Sequence, residues 1–174
     1  MEYFVTNHDI LQIFPNCKIV KYADLDQYET IYDLLPHKMD FVFLLTESEL
    51  NSGHWTLIIR DGTKFEYFDS YGESPKSILD YIPSYKNKQL GNNHKEDLGN
   101  IIKSVKPSDK FIYNKFQFQS DKPNINTCGR WCICRVALFL SDSVDLKQFT
   151  KIIKLKSKDL KKSFDEVIVF LVSV

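Results

Sequence analysis

Apolar and polar positions alternate in short strand-like runs mixed with helical periods up to about residue 127, and only helical periods follow. Thr6 followed by Asp9 and an apolar pattern through Phe14 predicts a short capped helix that Pro15 stops. Residues 17–22 predict a short strand, and residues 27–35 a helical turn or two ending before Pro36. Three strand-like runs come next, over 40–45, 55–60 and 64–68, with Asp61-Gly62 as a hairpin turn between the last two. Ser74-Pro75 opens a helix through Tyr81, with the proline where its missing N–H costs nothing. A polar stretch over 87–93 leads into a helix over 95–105 that stops near Pro107. Phe111-Ile112-Tyr113, with Phe116 and Phe118 after it, has the aromatic and β-branched content of a further strand with Gln119 at its end.

The segment 128–140 has no breaker after Gly129 and is apolar on most faces, the pattern of a buried central helix. Asn124 and Thr127 are the residues that would cap it, and two more helices are expected over 145–155 and 159–172. With no repeat, low-complexity block or Pro/Gly-rich linker, residues 1–174 form one expected domain. The fold class is α+β: a small, mostly antiparallel central sheet flanked by helices, with Cys128 at the N-terminus of the buried helix.

A chain of 174 residues buries roughly two-thirds of its unfolded surface, enough for a core that needs no metal or disulfide staple. Its net charge of zero supplies no long-range field toward nucleic acid or an anionic membrane. Lys147, Lys151, Lys154, Lys156, Lys158, Lys161 and Lys162 crowd the C-terminal helical stretch, either as a solvated face or as a dock for a polyanion. The amino terminus lacks a secretion-signal pattern, and no apolar run nears the roughly 18 residues of a membrane span. The four cysteines are therefore expected as thiols in a reducing compartment.

The candidate chemistry runs in the order His54-Trp55, Asp69, Gln119, Cys128-Gly129. A thiol attacks a carbonyl efficiently when a base takes its proton, a third group orients the base, and a donor holds the oxyanion. The hairpin predicted through Asp61-Gly62 brings His54, at the start of one strand, beside Asp69, at the end of its partner. Cys128 falls at a helix N-terminus, where unpaired N–H groups and the dipole favour a thiolate. Taken singly, each residue also has a plain reading: a structural His, a turn-forming Asp, a small buried hydrophobe. Zinc ligation by Cys128, Cys132, Cys134 and Cys17 or a His fits poorly, because Cys134 points away from the helix face that Cys128 and Cys132 share. Cys132, Cys134 and Trp131 read as core, and His8, His37 and His94 as surface.

Gly53-His54-Trp55, Phe68-Asp69-Ser70-Tyr71-Gly72, and Gln119 ahead of Pro123-Asn124 and Thr127-Cys128-Gly129 resemble the adenain-like and SUMO-deconjugating cysteine peptidases. That family runs His, Asp or Glu, Gln, Cys, whereas papain-like enzymes place Gln and Cys first. The resemblance spans residues 41 to about 140, and the small size is similar to the viral maturation branch, which DNA viruses, virophages and related transposons encode. It implies Cys128 as nucleophile, His54 as base and later acid, Asp69 as orienter and Gln119 as oxyanion donor, with Trp55 and Gly129 on the substrate side. Trp55 would narrow the cleft to suit Gly-Gly or Gly-Ala sites. Gln119 stands nine positions before Cys128, farther than is usual in the family, so a short insertion around Asp121-Lys122 is implied and Gln117 competes for the role. The implied activity is a cysteine endopeptidase that processes capsid or other virion precursor proteins without a cofactor or metal. Alternatives are an isopeptidase acting on ubiquitin-like proteins and a Cys-based acyltransferase. The expected partner is a protein substrate. A peptide or DNA activator is left open, no membrane partner is expected, and the chain is expected as a monomer in the virion and the host cytoplasm.

Overall fold

Strand-forming runs of Val, Ile, Leu and Phe build a five-stranded sheet, in order β1-β2-β3-β4-β5, at the centre of the computed structural model, which describes residues 4–174. The strands are β1 (Lys18–Lys21), β2 (Met39–Glu49), β3 (Ser52–Asp61), β4 (Lys64–Phe68) and β5 (Lys110–Tyr113). The helices are α1 (Asn7–Ile13), α2 (Ile31–Leu34), α3 (Ser84–Gln89), α4 (Asp97–Lys103), α5 (Cys128–Asp142), α6 (Leu146–Leu160) and α7 (Phe164–Leu171). The sheet is mixed, which corrects the mostly antiparallel expectation. The β2–β3 and β3–β4 pairs are antiparallel hairpins, but β1–β2 and β4–β5 are parallel. A parallel neighbour requires a long crossover, and residues 22–38 and 69–109 supply two, carrying α2 in the first and α3 and α4 in the second.

Alternation along the strands separates two cores. Phe43, Leu45, Trp55, Leu57 and Phe68 face α5, packing with Trp131 and Phe149. Val42, Leu44, Ile58, Phe65 and Tyr67 face the other way, toward Tyr22, Leu25 and Ile31. Glu66 lies between Phe65 and Tyr67 and so shares the α5 side with Phe68. Its buried carboxylate accepts two bonds from Arg135 of α5, at 2.8 and 2.7 Å, and Arg135 also donates to the Val144 carbonyl at 2.8 Å. This forked pair satisfies two charges that are otherwise too costly to bury.

Several boundaries follow from local chemistry. Thr6 and Asp9 form the expected reciprocal cap of α1. The Ser74-Pro75 helix is only a 3₁₀ turn, Pro75–Ser77, with the Ser74 side chain capping it. α6 runs on to Leu160 and ends where Lys161 adopts a left-handed φ of 53°. β5 stops at Tyr113, so Gln119 lies in the loop beyond it and not at a strand end. Thr127 does occupy the N-cap of α5 but makes no side-chain cap; its hydroxyl instead donates to Asp165 of α7 at 2.6 Å. Asn124 sits in the preceding loop with φ 69°.

Candidate active site

β2 and β3 are longer than their apolar patterns suggest and join through a tight turn at Leu50-Asn51, where Asn51 takes a φ of 57°. His54 therefore lies inside β3, opposite Thr46, rather than at its start. The preceding residue must be glycine: a Cβ on Gly53 would stand 2.0 Å from the Thr46 carbonyl oxygen, beside the register shift between Glu47 and Glu49. Antiparallel pairing of Leu57 with Phe68 then carries Asp69 to His54.

His54 Nε2 and Asp69 Oδ1 are 2.9 Å apart, and both side chains are buried. Asp69 Oδ1 also accepts the Tyr71 backbone N–H at 2.8 Å. Asn114, just past β5, clamps the Asp69 backbone: its Oδ1 accepts from Asp69 N at 2.8 Å and its Nδ2 donates to Asp69 O at 2.6 Å. Nothing in the hydrophobic pattern singles out Asn114; only the parallel β4–β5 pairing places it there.

With Nε2 engaged by Asp69, the His54 ring also interacts electrostatically with Cys128, the first residue of α5. Burial alone would pull the imidazole pKa down, but the Asp69 carboxylate and the Cys128 sulfur more than offset it, and the pKa is pushed up to about 10. Burial alone would raise the Cys128 thiol. His54 and the backbone N–H groups of Trp55 and Gly129 outweigh this and hold it below the usual cysteine value. Both shifts favour a thiolate–imidazolium pair. The other thiols move oppositely: burial pushes Cys132 well up, Cys134 up to about 11, and Cys17 up. Among the described residues no three His, Cys, Asp or Glu side chains converge to hold a metal ion.

Gln119 is 2% exposed and reaches the loop before α5: its Nε2 donates to the Ile125 carbonyl and to Tyr71 Oη, each at 3.0 Å, and its Oε1 accepts from Ser70 Oγ at 2.8 Å. Gln117 is placed differently, donating to the Gln119 carbonyl at 3.0 Å and lining an outer cavity of 460 Å³. That cavity also touches Asp69, Tyr71, Ile78 and Tyr81. The Tyr71 ring lies 5.0 Å from the His54 ring, tilted by 32°, and Tyr81 meets His54 edge-on at 6.0 Å.

Trp55 is buried, its indole N–H donating to the Val5 carbonyl at 2.9 Å. With Gly53, Val5 and Cys128 it borders a second, much smaller cavity of 50 Å³. Gly129 packs under Val5, where an added Cβ would fall 2.4 Å from the Val5 Cβ. The lysines of the α6 region, Lys147 through Lys162, are all exposed, as are His8, His37 and His94. Among the described residues no helix is long and apolar enough to cross a membrane.

The buried Cys–His–Asp arrangement at a helix N-terminus has the residues of a thiol-dependent acyl-transfer site. No family model matches the chain. It is 37% identical over 147 residues to the uncharacterized protein V9 of Sputnik virophage, an overlap covering 83% of this chain and 82% of that protein, and it belongs to the same family. The crystal structure of the ASFV pS273R protease is similar at a TM-score of 0.45 and 18% identity, over 77% of this chain; the chain spans about half of that protease, 52%.

Proposed function

We propose that the protein is a cysteine endopeptidase in which Cys128 attacks the scissile carbonyl, His54 moves the proton and Asp69 orients and charges the imidazole. The observation that carries this reading is the buried His54–Asp69 bond at 2.9 Å beside a Cys128 whose pKa lies below the usual value. As the thiolate sulfur bonds to the carbonyl carbon, the C=O π pair moves to oxygen. The tetrahedral adduct then collapses, the C–N bond breaks and the leaving nitrogen takes the His54 proton. Water next attacks the thioester, giving His54 a proton and releasing the thiolate.

The space around the nucleophile supports small residues at the cleavage site. A cavity of 50 Å³ bordered by Gly53, Trp55 and Cys128 holds the volume of roughly two waters, room for glycine but not for a large side chain. This agrees with Gly-Gly or Gly-Ala cleavage, which the sequence resemblance implies. Membership in a family with a virophage protein supports a virion precursor as substrate. The virion and host cytoplasm are the proposed places of action, and the monomer the proposed working form. Gly-Gly-X peptides, a folded ubiquitin-like protein extended beyond its C-terminal glycines, and an acyl-CoA donor should be compared with the isolated chain, with and without added DNA. Hydrolysis of the peptides is the expected result. Turnover of the folded fusion alone would make the chain an isopeptidase, and acyl-CoA consumption would make it a transferase.

A further inference from the structure

We propose that Asp165 is a positioning residue of the active site: its carboxylate fixes both ends of the segment joining Gln119 to Cys128, and by engaging Thr127 it keeps the backbone N–H groups at the start of α5 directed at the nucleophile. This rests on the peptidase reading above and keeps the roles that the sequence resemblance implies, Gln119 as oxyanion donor among them.

Residues 120–127 contain no helix or strand, and Asp121 to Asn124 are exposed, so little within the segment determines where its ends lie. Gln119 immediately precedes it and Cys128 immediately follows it. Asp165, 8% exposed, meets both ends with one side chain: Oδ2 accepts the Ser120 N–H at 3.0 Å and Oδ1 accepts the Thr127 hydroxyl at 2.6 Å. The other side of Gln119 is tied as well, since the Phe118 and Gln119 N–H groups donate to the Ser70 carbonyl at 2.8 and 2.9 Å. Oxyanion donor and nucleophile are thus each one residue along the chain from a group bound to the same carboxylate. The anchor is itself held firmly: Ser163 and Glu166 cap each other across the first turn of α7, Val167 and Ile168 are buried, and the Phe164 ring packs on Phe116 at 5.5 Å. Both donors to Asp165 are neutral, and burying a carboxylate on neutral donors is costly, so stability alone does not account for it.

Thr127 carries the second effect. It is the N-cap residue of α5 and of a type whose hydroxyl oxygen ordinarily turns back to accept the N–H two or three residues on. Here the side chain is fully buried, makes no cap and is turned to Asp165 instead. The nearer of the N–H groups that a cap would engage, on Gly129, is among those that hold the Cys128 thiol below the usual cysteine value. Drawing Thr127 away leaves that donor and the positive end of the helix dipole to the sulfur. One carboxylate therefore sets the distance between Gln119 and Cys128 and keeps a competing acceptor off the amides that serve the thiolate.

The test compares wild type with Asp165→Ala, Asp165→Leu, Asp165→Asn and the double variant Asp165→Ala/Thr127→Val, each first shown to be folded by thermal unfolding. Three quantities are read: kcat and KM on a Gly-Gly-X peptide, affinity for a peptide aldehyde, and the pH profile of Cys128 alkylation by iodoacetamide. Asp165→Ala frees Thr127 to cap α5, so the acid limb of alkylation should move up by about 0.5–1 pH unit. It also releases both ends of the segment, so kcat should fall by about 10²-fold with little change in KM and a matching loss of aldehyde affinity. Asp165→Leu, which fills the same space, should behave alike. Adding Thr127→Val removes the cap and should return the alkylation profile to that of wild type, while kcat stays low because the Ser120 tie is still missing. Asp165→Asn keeps an oxygen for the Ser120 N–H and an N–H for the Thr127 oxygen, so it should retain most of the activity. An alkylation profile that Asp165→Ala does not move, or that Thr127→Val does not restore, overturns the proposal, as does a kcat within about threefold of wild type in Asp165→Ala. Failure of both Asp165→Ala and Asp165→Leu to fold also overturns it, because Asp165 would then serve the fold alone. A wild type that cleaves no peptide removes the peptidase reading, and the alkylation profiles then still decide whether Asp165 acts through Thr127.

Discussion

Replacing Asp69 with Asn removes a charge while keeping the shape and an oxygen acceptor for His54 Nε2, so it isolates what the carboxylate does. The bond is 2.9 Å long, and both ends are buried, so solvent screens little of it. Hydrogen bonds to charged groups are worth about 1.5–3 kcal/mol, and about 1.4 kcal/mol corresponds to one pKa unit. Loss of the negative charge disfavours the imidazolium, so the His54 pKa should fall by about 1–2 units from its value of about 10. The sign for Cys128 is opposite: a less readily protonated imidazole stabilises the thiolate less, and the thiol pKa should rise. The ion pair exists between these two limits, so its pH window should narrow from both sides. The assay is kcat/KM against pH, together with the pH dependence of Cys128 alkylation, for wild type and Asp69→Asn. The alkaline limb of activity should move to lower pH and the acid limb of alkylation to higher pH. An alkaline limb that stays in place in Asp69→Asn would refute the reasoning, because His54 would then not owe its high pKa to Asp69.

Glu66→Ala strands the buried Arg135 guanidinium and should cost about 3–5 kcal/mol in urea unfolding, a large part of a domain's total stability; a loss below about 1 kcal/mol would show the pair to be unimportant. Replacing both residues with apolar ones of similar size should cost much less than either single change. Gly53→Ala forces a Cβ into the Thr46 carbonyl at 2.0 Å and should disrupt the hairpin that carries His54, lowering activity and thermal stability together; wild-type behaviour would contradict the register described. Limited iodoacetamide should modify Cys128 before Cys17 and Cys134 and leave Cys132 for last, as peptide mass spectrometry will read, because only Cys128 has a lowered pKa.

Local signals were the legible part of this sequence. The Thr6–Asp9 cap, the hairpin near Asp61-Gly62 and the unbroken apolar run from Cys128 each rest on contacts within a few residues; the structure has the cap and the helix, and the hairpin with its turn one residue later, at Gly62-Thr63, because Asp61 still pairs with Lys64. The order His54, Asp69, Gln119, Cys128 was readable for the same reason, since one hairpin and one helix start bring most of it together. What was hidden depends on distant partners. Parallel pairing at both sheet edges needs crossovers that periodicity does not announce, and α3 (Ser84–Gln89) lies in a polar stretch with a single buried residue, Asn87. Glu66 reads as the polar member of an alternating strand, and only the helix opposite reveals that Arg135 receives it. Strand alternation does not bear on Gln119 and Gln117, because neither lies in a strand; that Gln119 is bonded to Ile125, Ser70 and Tyr71 depends on partners far away in sequence.

The central claim is that Cys128 is the nucleophile of a peptidase, and the most direct test is to incubate wild type and Cys128→Ala with a Gly-Gly-X peptide library and identify products by mass spectrometry. The account predicts cleavage after glycine by wild type, with a transient acyl adduct on Cys128, and none by a Cys128→Ala protein that unfolds at the wild-type temperature. Equal cleavage by both proteins, or by neither, would contradict it.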